Sequence, residues 1–333
     1  MASISVGDMA QSLILSRQGA DLKRKMQDLS TEVTTGLVAN KTEQLRGNYV
    51  PIAGIEASLT QISAFHAVTS ESAILTSAMQ TTLGQISDHA TALGSSLLAA
   101  AGGNSPTRID ALGTEAMQRL KSVMSSLNTR IGERSVFSGM ATDRSAVTDT
   151  ETMMTALDTA ITGSISSADV ETAVNAWFAD PLGFAASVYT GGDPLSPIPV
   201  GPDETATIDV TAVDPGIVDT IKGLAMAALL QRGALAGSDV ARADLAKRAG
   251  ESLASTASSR VQLSARLGTV EAGIANASLR NDTEKSALET ARLDILAVDP
   301  FETATKLQQT QSQLESLYTI TARMSRLSLV DFL

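Results

Sequence analysis

Few residues in this chain are of a type that could do chemistry. His66 and His89 are its two imidazoles, and cysteine is absent. A zinc site needs several convergent His, Cys or carboxylate ligands, and a nucleophile–base–acid triad needs a positioned base. His66 follows Phe65 and His89 follows Asp88, each inside a long helical pattern, so both are expected to be ordinary helix-surface or groove residues. The acidic stretch Asp143 to Glu151 suits a solvated loop better than a carboxylate pair. The "GGD" at 191–193 signals a turn; as a phosphate loop it lacks the glycine spacing and the lysine. Without cysteine there is no disulfide framework and no thiolate metal site. The expectation is a protein that is not an enzyme, with no catalytic, metal or cofactor-binding residues and no cofactor.

Bulk properties narrow the classes further. The 333 residues carry a formal net charge of −11, which argues against nucleic-acid backbones and against membrane binding through a basic face. The longest apolar run, Leu224 to Leu230, is far short of the ~20 residues a membrane span requires. The first 30 residues are punctuated by Asp8, Arg17, Asp21, Lys23, Arg24, Lys25 and Asp28, so no cleaved secretory signal is expected. Aromatic residues make up 3% of the chain, which suits long helices packed closely along their length better than a bulky aromatic core.

The elements follow from periodicity and punctuation. Six of the nine prolines fall between 181 and 215, and long stretches on either side have none, as continuous helices require. Leu15, Leu22 and Leu29 step by seven, Met26 and Val33 complete the stripe, and Gly36 offers a stop. Ile55, Leu59, Ile62, Met79, Leu83, Ile86, Ala90, Leu93 and Leu97 predict one very long helix, broken by "AGGNSP". Ser105 and Pro106 then restart a helix carrying Ile109, Leu112, Ala116, Leu120, Val123, Leu127 and Ile131. On the C-terminal side Ile217, Ile221, Leu224 and Ala228 predict a helix ending near Gly233 or Gly237. A single long helix is expected from about Asp239, with a seam through Leu263, Leu267, Val270, Ile274, Ala277, Asn281, Glu284, Leu288, Ala291 and Ile295. Asn281 and Glu284 interrupt that seam as register-setting polar positions can. "DPFE" at 299–302 places Asp299 at an N-cap and Pro300 at the first position of a last helix carrying Leu307, Leu314, Leu317 and Met324, widened by Ile320 and Leu327. The middle predicts two short helices, "TETMMTALDTAI" and "SADVETAVNAWF", then short strands, with "TATIDV" alternating at period two and Trp177 in a small core.

The expected fold is mainly α: an elongated antiparallel helical bundle with paired terminal coiled-coil helices and a small α+β domain inserted at the far end. Its parts are a terminal helix and loop (1–50), the first half of the bundle (51–139), a variable α+β insert (140–213), the second half of the bundle (214–298) and a closing terminal helix (299–333). Each terminal helix carries an apolar stripe that one partner cannot cover on all sides, so further copies are expected to complete its burial. The expected assembly interface is Leu15, Leu22, Met26, Leu29, Leu307, Leu314, Leu317, Met324, Leu327, Leu329 and Phe332. In a lone subunit Leu329, Val330, Phe332 and Leu333 are expected to be the least satisfied.

Those segments resemble a family. "LSTEVTTGL" (29–37), "SVFSG" (135–139), "RLGTVEAGI" (266–274) and the stretch from "ARLDILAVDPFETATKL" onward are similar to bacterial flagellins and the hook-associated junction proteins, over roughly 1–140 and 217–333. Leu307, Gln308, Gln311, Leu314 and Leu317 match the Leu/Gln seam of that family's terminal helix. Val136, Phe137, Ser138 and Gly139 look more like the junction subunit than the filament subunit, while "NKTEQLRGN" departs from the family's usual loop after the first helix. The resemblance implies a structural, extracellular flagellar subunit. It implies export through the flagellar type III channel, without a cleaved signal, after holding by an export chaperone. It implies partners that are further copies in a ring, flagellin on one side and the hook-proximal hook-associated protein on the other. The alternatives are a flagellin filament subunit and, remotely, a cytoplasmic signalling hairpin of the chemoreceptor kind.

Overall fold

The computed structural model describes the backbone of residues 6–45, 47–101 and 105–330, and all of their side chains except those of 6–9, 43, 44, 101 and 325–330. The fold is mainly α. Its elements are α1 (Val6–Thr35), α2 (Lys41–Gln44), α3 (Val50–Ala101), α4 (Pro106–Leu127), β1 (Arg130–Ile131), β2 (Arg134–Ser135), α5 (Thr150–Ala160), α6 (Ser167–Ala179), α7 (Phe184–Ser187), β3 (Ile198–Gly201), β4 (Glu204–Ala206), α8 (Pro215–Ala228), α9 (Asp239–Ser255), α10 (Ala257–Leu296) and α11 (Pro300–Val330). β1 pairs with β2 and β3 with β4, both antiparallel. The chain divides into one unit of residues 1–63 and 283–333 and a second of residues 64–282; α3 and α10 each run from one unit into the other. No helix among the described residues is long and apolar enough to cross a membrane.

The second unit holds the core. Met79, Leu83, Ile86, Ala90, Leu93 and Leu97 of α3, and Ile109, Leu112, Ala116, Leu120, Val123 and Leu127 of α4, are all buried, so the 3–4 rhythm marks the inward face of each helix. α4 ends at Asn128, whose side chain exchanges two 2.9 Å hydrogen bonds with the backbone of Val147. Ile131 consequently continues not the helix but the two-residue ladder β1–β2. Leu224 to Leu230 is wholly buried, which accounts for an apolar run too short for a membrane.

The middle segment shares that core rather than enclosing one of its own. Met153, Met154, Leu157, Val170, Val174 and Phe184 are continuous with the buried residues of α3, α4 and α8. Ser166 and Asp169 form a reciprocal capping box at the start of α6. Asp149 caps α5 by accepting the Thr152 N–H at 2.7 Å. Arg248 of α9 joins Asp244 to Glu171 of α6, and the Ser167 hydroxyl donates to Asp244.

Several expectations are corrected here. Trp177 is only half-buried; Phe184 takes the interior position, with Phe178 stacked on it at 5.5 Å between centroids. A rigid indole with one N–H donor fits a margin more cheaply than a dry centre. "FAAS" is a helical turn, not a strand, and of "TATIDV" only the first residues are paired. Ile208 and Val210 still alternate inward, so period two reports burial of an extended chain without a ladder. Ser105 stands at the N-cap of α4 but makes no side-chain cap bond. Glu284 is exposed; only Asn281 interrupts the seam, and its amide donates to the Val200 carbonyl at 2.9 Å, tying α10 to the β3–β4 hairpin. The single helix expected from Asp239 is two, α9 and α10, separated at Thr256.

Candidate assembly interface

Within the first unit α1 and α11 pack against each other. α1 is polar apart from a sparse stripe, and α11 covers only part of it: Leu29 is buried, while Leu13, Ile14 and Val33 stay exposed. It stops at Gly36, where φ is +71°, with the Gly36 N–H donating to the Glu32 carbonyl at 2.8 Å. α11 starts at the proposed N-cap: the Asp299 carboxylate accepts the N–H groups of Phe301 and Glu302 at 2.8 and 3.1 Å. Glu302 pairs with Lys306 at 2.8 Å rather than reaching back to the cap. The two connecting segments are clipped together: the Val38 N–H donates to the Leu296 carbonyl at 2.9 Å and the Val298 N–H to the Gly36 carbonyl at 3.0 Å.

The pair runs antiparallel. Gly19 faces Leu317, whose Cδ2 would lie 3.4 Å from a β-carbon built there. Leu22 shares a shallow groove of about 320 Å³ with Gln313, Ser316, Leu317 and Ile320. Leu29, Asp28 and Glu32 share a more polar concavity with Asp299, Glu302 and Thr303. Rising numbers on α1 thus meet falling numbers on α11.

Leu29 and Leu314 are buried, while Leu15, Leu22, Met26, Leu307, Leu317 and Met324 are half-buried. Leu327 and Leu329 belong to α11, but their side chains, and that of Val330, fall outside the described residues, as do Phe332 and Leu333 entirely. Thr303 and Thr310 are buried members of the α11 seam that the leucine pattern passed over. The 303–307–310–314–317 spacing of four and three would have found them, because a threonine can bury its methyl while its hydroxyl bonds within the helix; the Thr310 hydroxyl donates to the Lys306 carbonyl at 2.8 Å. Gln308 and Gln311 are exposed and lie off the seam. Val33, expected in the α1 stripe, and Ile320, expected to widen that of α11, face outward, as do Leu13, Ile14 and Tyr318, the last three at 59, 55 and 53% exposure.

A second motif has a structural explanation in the other unit. "SVFSG" and the "GGD" turn form one backbone clasp. The Gly192 N–H donates to the Ser138 carbonyl at 2.9 Å and the Met140 N–H to the Asp193 carbonyl at 2.8 Å. Phe137 is fully buried, and its carbonyl accepts the Ala212 N–H at 3.0 Å. The Tyr189 hydroxyl donates to the Gly192 carbonyl at 2.6 Å, and burial pushes the Tyr189 pKa up. Gly139 has φ of +59°, and a β-carbon there would stand 2.2 Å from the Asp193 carbonyl oxygen. The clasp is a fixed scaffold rather than a ligand loop.

The two imidazoles do not converge: His66 lies 3.6 Å from Asp282, and His89 Nδ1 lies 3.2 Å from Arg119. Among the described residues no group of three or more His, Cys, Asp or Glu could hold a metal ion.

Residues 252–333 match the family described as the bacterial flagellin C-terminal helical region. No curated protein sequence matches the chain. A structure described as that of a flagellar hook-associated protein from Vibrio parahaemolyticus shares the fold with a TM-score of 0.53 at 15% identity, covering 75% of this chain and 99% of that one. The chain thus carries a flagellin-type C-terminal helical region on a fold that it shares with that structure. The crystal structure of Bacillus cereus FlgL has that same fold, with a TM-score of 0.51 at 14% identity over 72% of this chain and 98% of that one.

Proposed function

We propose that this protein is a structural subunit of the bacterial flagellum, forming the junction ring that joins the hook, through the other hook-associated protein, to the flagellin filament. The observation that carries the reading is the antiparallel α1–α11 pair, which contains α11, the last helix of the region matched to flagellin, and leaves Leu13, Ile14, Tyr318 and Ile320 outward. Apolar surface removed from water contributes ~25 cal/mol per Å², so these faces favour further copies and flagellin over solvent. The function is mechanical, without catalysis, cofactor, nucleic acid or membrane. The subunit is exported without a cleaved signal, held before that by a flagellar chaperone, and resides outside the cell. The five-part division from the first terminal helix (1–50) to the last (299–333) belongs to this reading, with 140–213 as the variable part.

Deleting the last ~20 residues tests the assembly role: the second unit should stay folded while the protein disappears from isolated flagella. Normal incorporation of the truncation would overturn it. Loss of the whole protein should leave bare hooks and flagellin shed into the medium. The flagellin match also supports a filament subunit, which makes a distinct prediction: purified protein would grow long filaments from seeds by itself.

A further inference from the structure

The break between α9 and α10 has no ordinary cause. Neither Gly nor Pro lies between Glu251 and Gln262, and sharp helix breaks without them arise where a side chain enters the main-chain ladder. Two side chains do so at the Leu253 carbonyl, beside a third, the Ser255 hydroxyl, that donates to the Ser252 carbonyl at 2.9 Å. The Leu253 carbonyl accepts the Thr256 hydroxyl at 3.1 Å and Arg260 Nη1 at 3.2 Å, and the same Nη1 donates to the Thr256 hydroxyl at 2.8 Å. Regular bonds resume on each side, Thr256 N–H to Ser252 and Arg260 N–H to Thr256, both at 3.2 Å. Arg260 is 6% exposed, its Nε has no hydrogen-bond partner, and among the described residues no carboxylate pairs with it. A buried cation held only by neutral oxygens is costly, and burial pushes its pKa down.

We propose that Arg260 is a wedge that keeps the main-chain ladder open between α9 and α10 and thereby bends the helix at Thr256, and that without it the two would close into one continuous helix. The Leu253 carbonyl needs a donor when the guanidinium leaves, and the Ala257 N–H is the donor a continuous helix supplies. A competing cause is packing: Leu253 lies against Gly94 and Gly223, and the Ser259 carbonyl against Gly216, so contacts on both sides of the break could bend the helix by themselves.

The chain has no cysteine, so two introduced cysteines label cleanly. Val240→Cys on α9 and Ala272→Cys on α10, both exposed positions, carry spin labels whose separation in a straight helix is ~48 Å along the axis. In Arg260→Met the distance distribution should lengthen towards that value, and amide exchange at residues 257–259 should slow at least tenfold. Thr256→Val, which keeps shape and removes only the hydroxyl, should lengthen it in part and serves if Arg260→Met does not fold. A distribution unchanged in both variants, or in Thr256→Val alone where only that variant folds, would assign the bend to packing and overturn the proposal.

Discussion

Replacing Gly139 by alanine separates two effects that a glycine can serve. Gly132 and Gly139 share nearly the same left-handed backbone, with φ of +57° and +59°. Forcing an L-residue into that region costs about 1–2 kcal/mol. A β-carbon at Gly132 meets nothing within 4 Å, so Gly132→Ala should cost that amount and no more. At Gly139 the same carbon would lie 2.2 Å from the Asp193 oxygen and 2.8 Å from the Gly192 oxygen, both backbone atoms. Relief requires the 191–193 turn to move, which breaks the Met140-to-Asp193 and Gly192-to-Ser138 hydrogen bonds, each contributing about 1 kcal/mol. Gly139→Ala should therefore cost about 3–4 kcal/mol. Urea unfolding followed by the Trp177 fluorescence reads both variants; the midpoint should fall about twice as far for Gly139→Ala at unchanged slope. Equal midpoints for the two would refute the clasp and reduce "SVFSG" to an ordinary turn.

Leu314→Ala should destabilise the α1–α11 pair by about 2–4 kcal/mol, and Leu317→Ala by less because that side chain is half-buried; faster amide exchange along α1 is the readout. Arg242 bonds the Leu230 and Ala234 carbonyls and pairs with Asp110, so Arg242→Met should cost about 2–4 kcal/mol in thermal unfolding by leaving those acceptors bare. Asp149, held down by the Thr152 N–H, Asp169, held down by the Ser166 hydroxyl, and Asp244, held down by the Ser167 hydroxyl, all have carboxyl pKa values below the ordinary 3.8. A depressed folded pKa adds stability above the unfolded value and loses it as pH falls through the folded one. The melting temperature of the 64–282 unit should thus be flat well above pH 3.8 and fall below it, less steeply in Asp169→Asn; a rise on acidification would contradict the capping bonds.

Much of the fold was legible because it depends on local rules. Gly36 ends α1 since a left-handed cap favours a residue without a β-carbon, and Asp299-Pro300 opens α11 since one supplies an acceptor and the other lacks the orphan donor. The buried faces of α3 and α4 follow from 3.6-residue periodicity alone. What the pattern could not carry was competition between residues far apart. Trp177 and Phe184 are equally apolar on paper, and only the folded packing separates them: Phe184 joins the buried cluster and Trp177 lies at its edge. Asn281 and Glu284 looked alike as polar interruptions, yet only Asn281 is buried, its amide donating to the Val200 carbonyl 81 residues away.

The terminal pair divides the same way. The sequence by itself determined that two amphipathic helices with heptad leucines would each need a cover, because an apolar stripe in water is unfavourable wherever it lies. It did not determine which residues the cover reaches. Antiparallel packing put Leu29 and Leu314 inside with Thr303 and Thr310, and turned Val33, Ile320, Leu13 and Ile14 outward. Two helices share one line of contact, and its register is a property of both chain segments at once. The break at Thr256 was likewise invisible, since an arginine looks solvated until the fold closes over it.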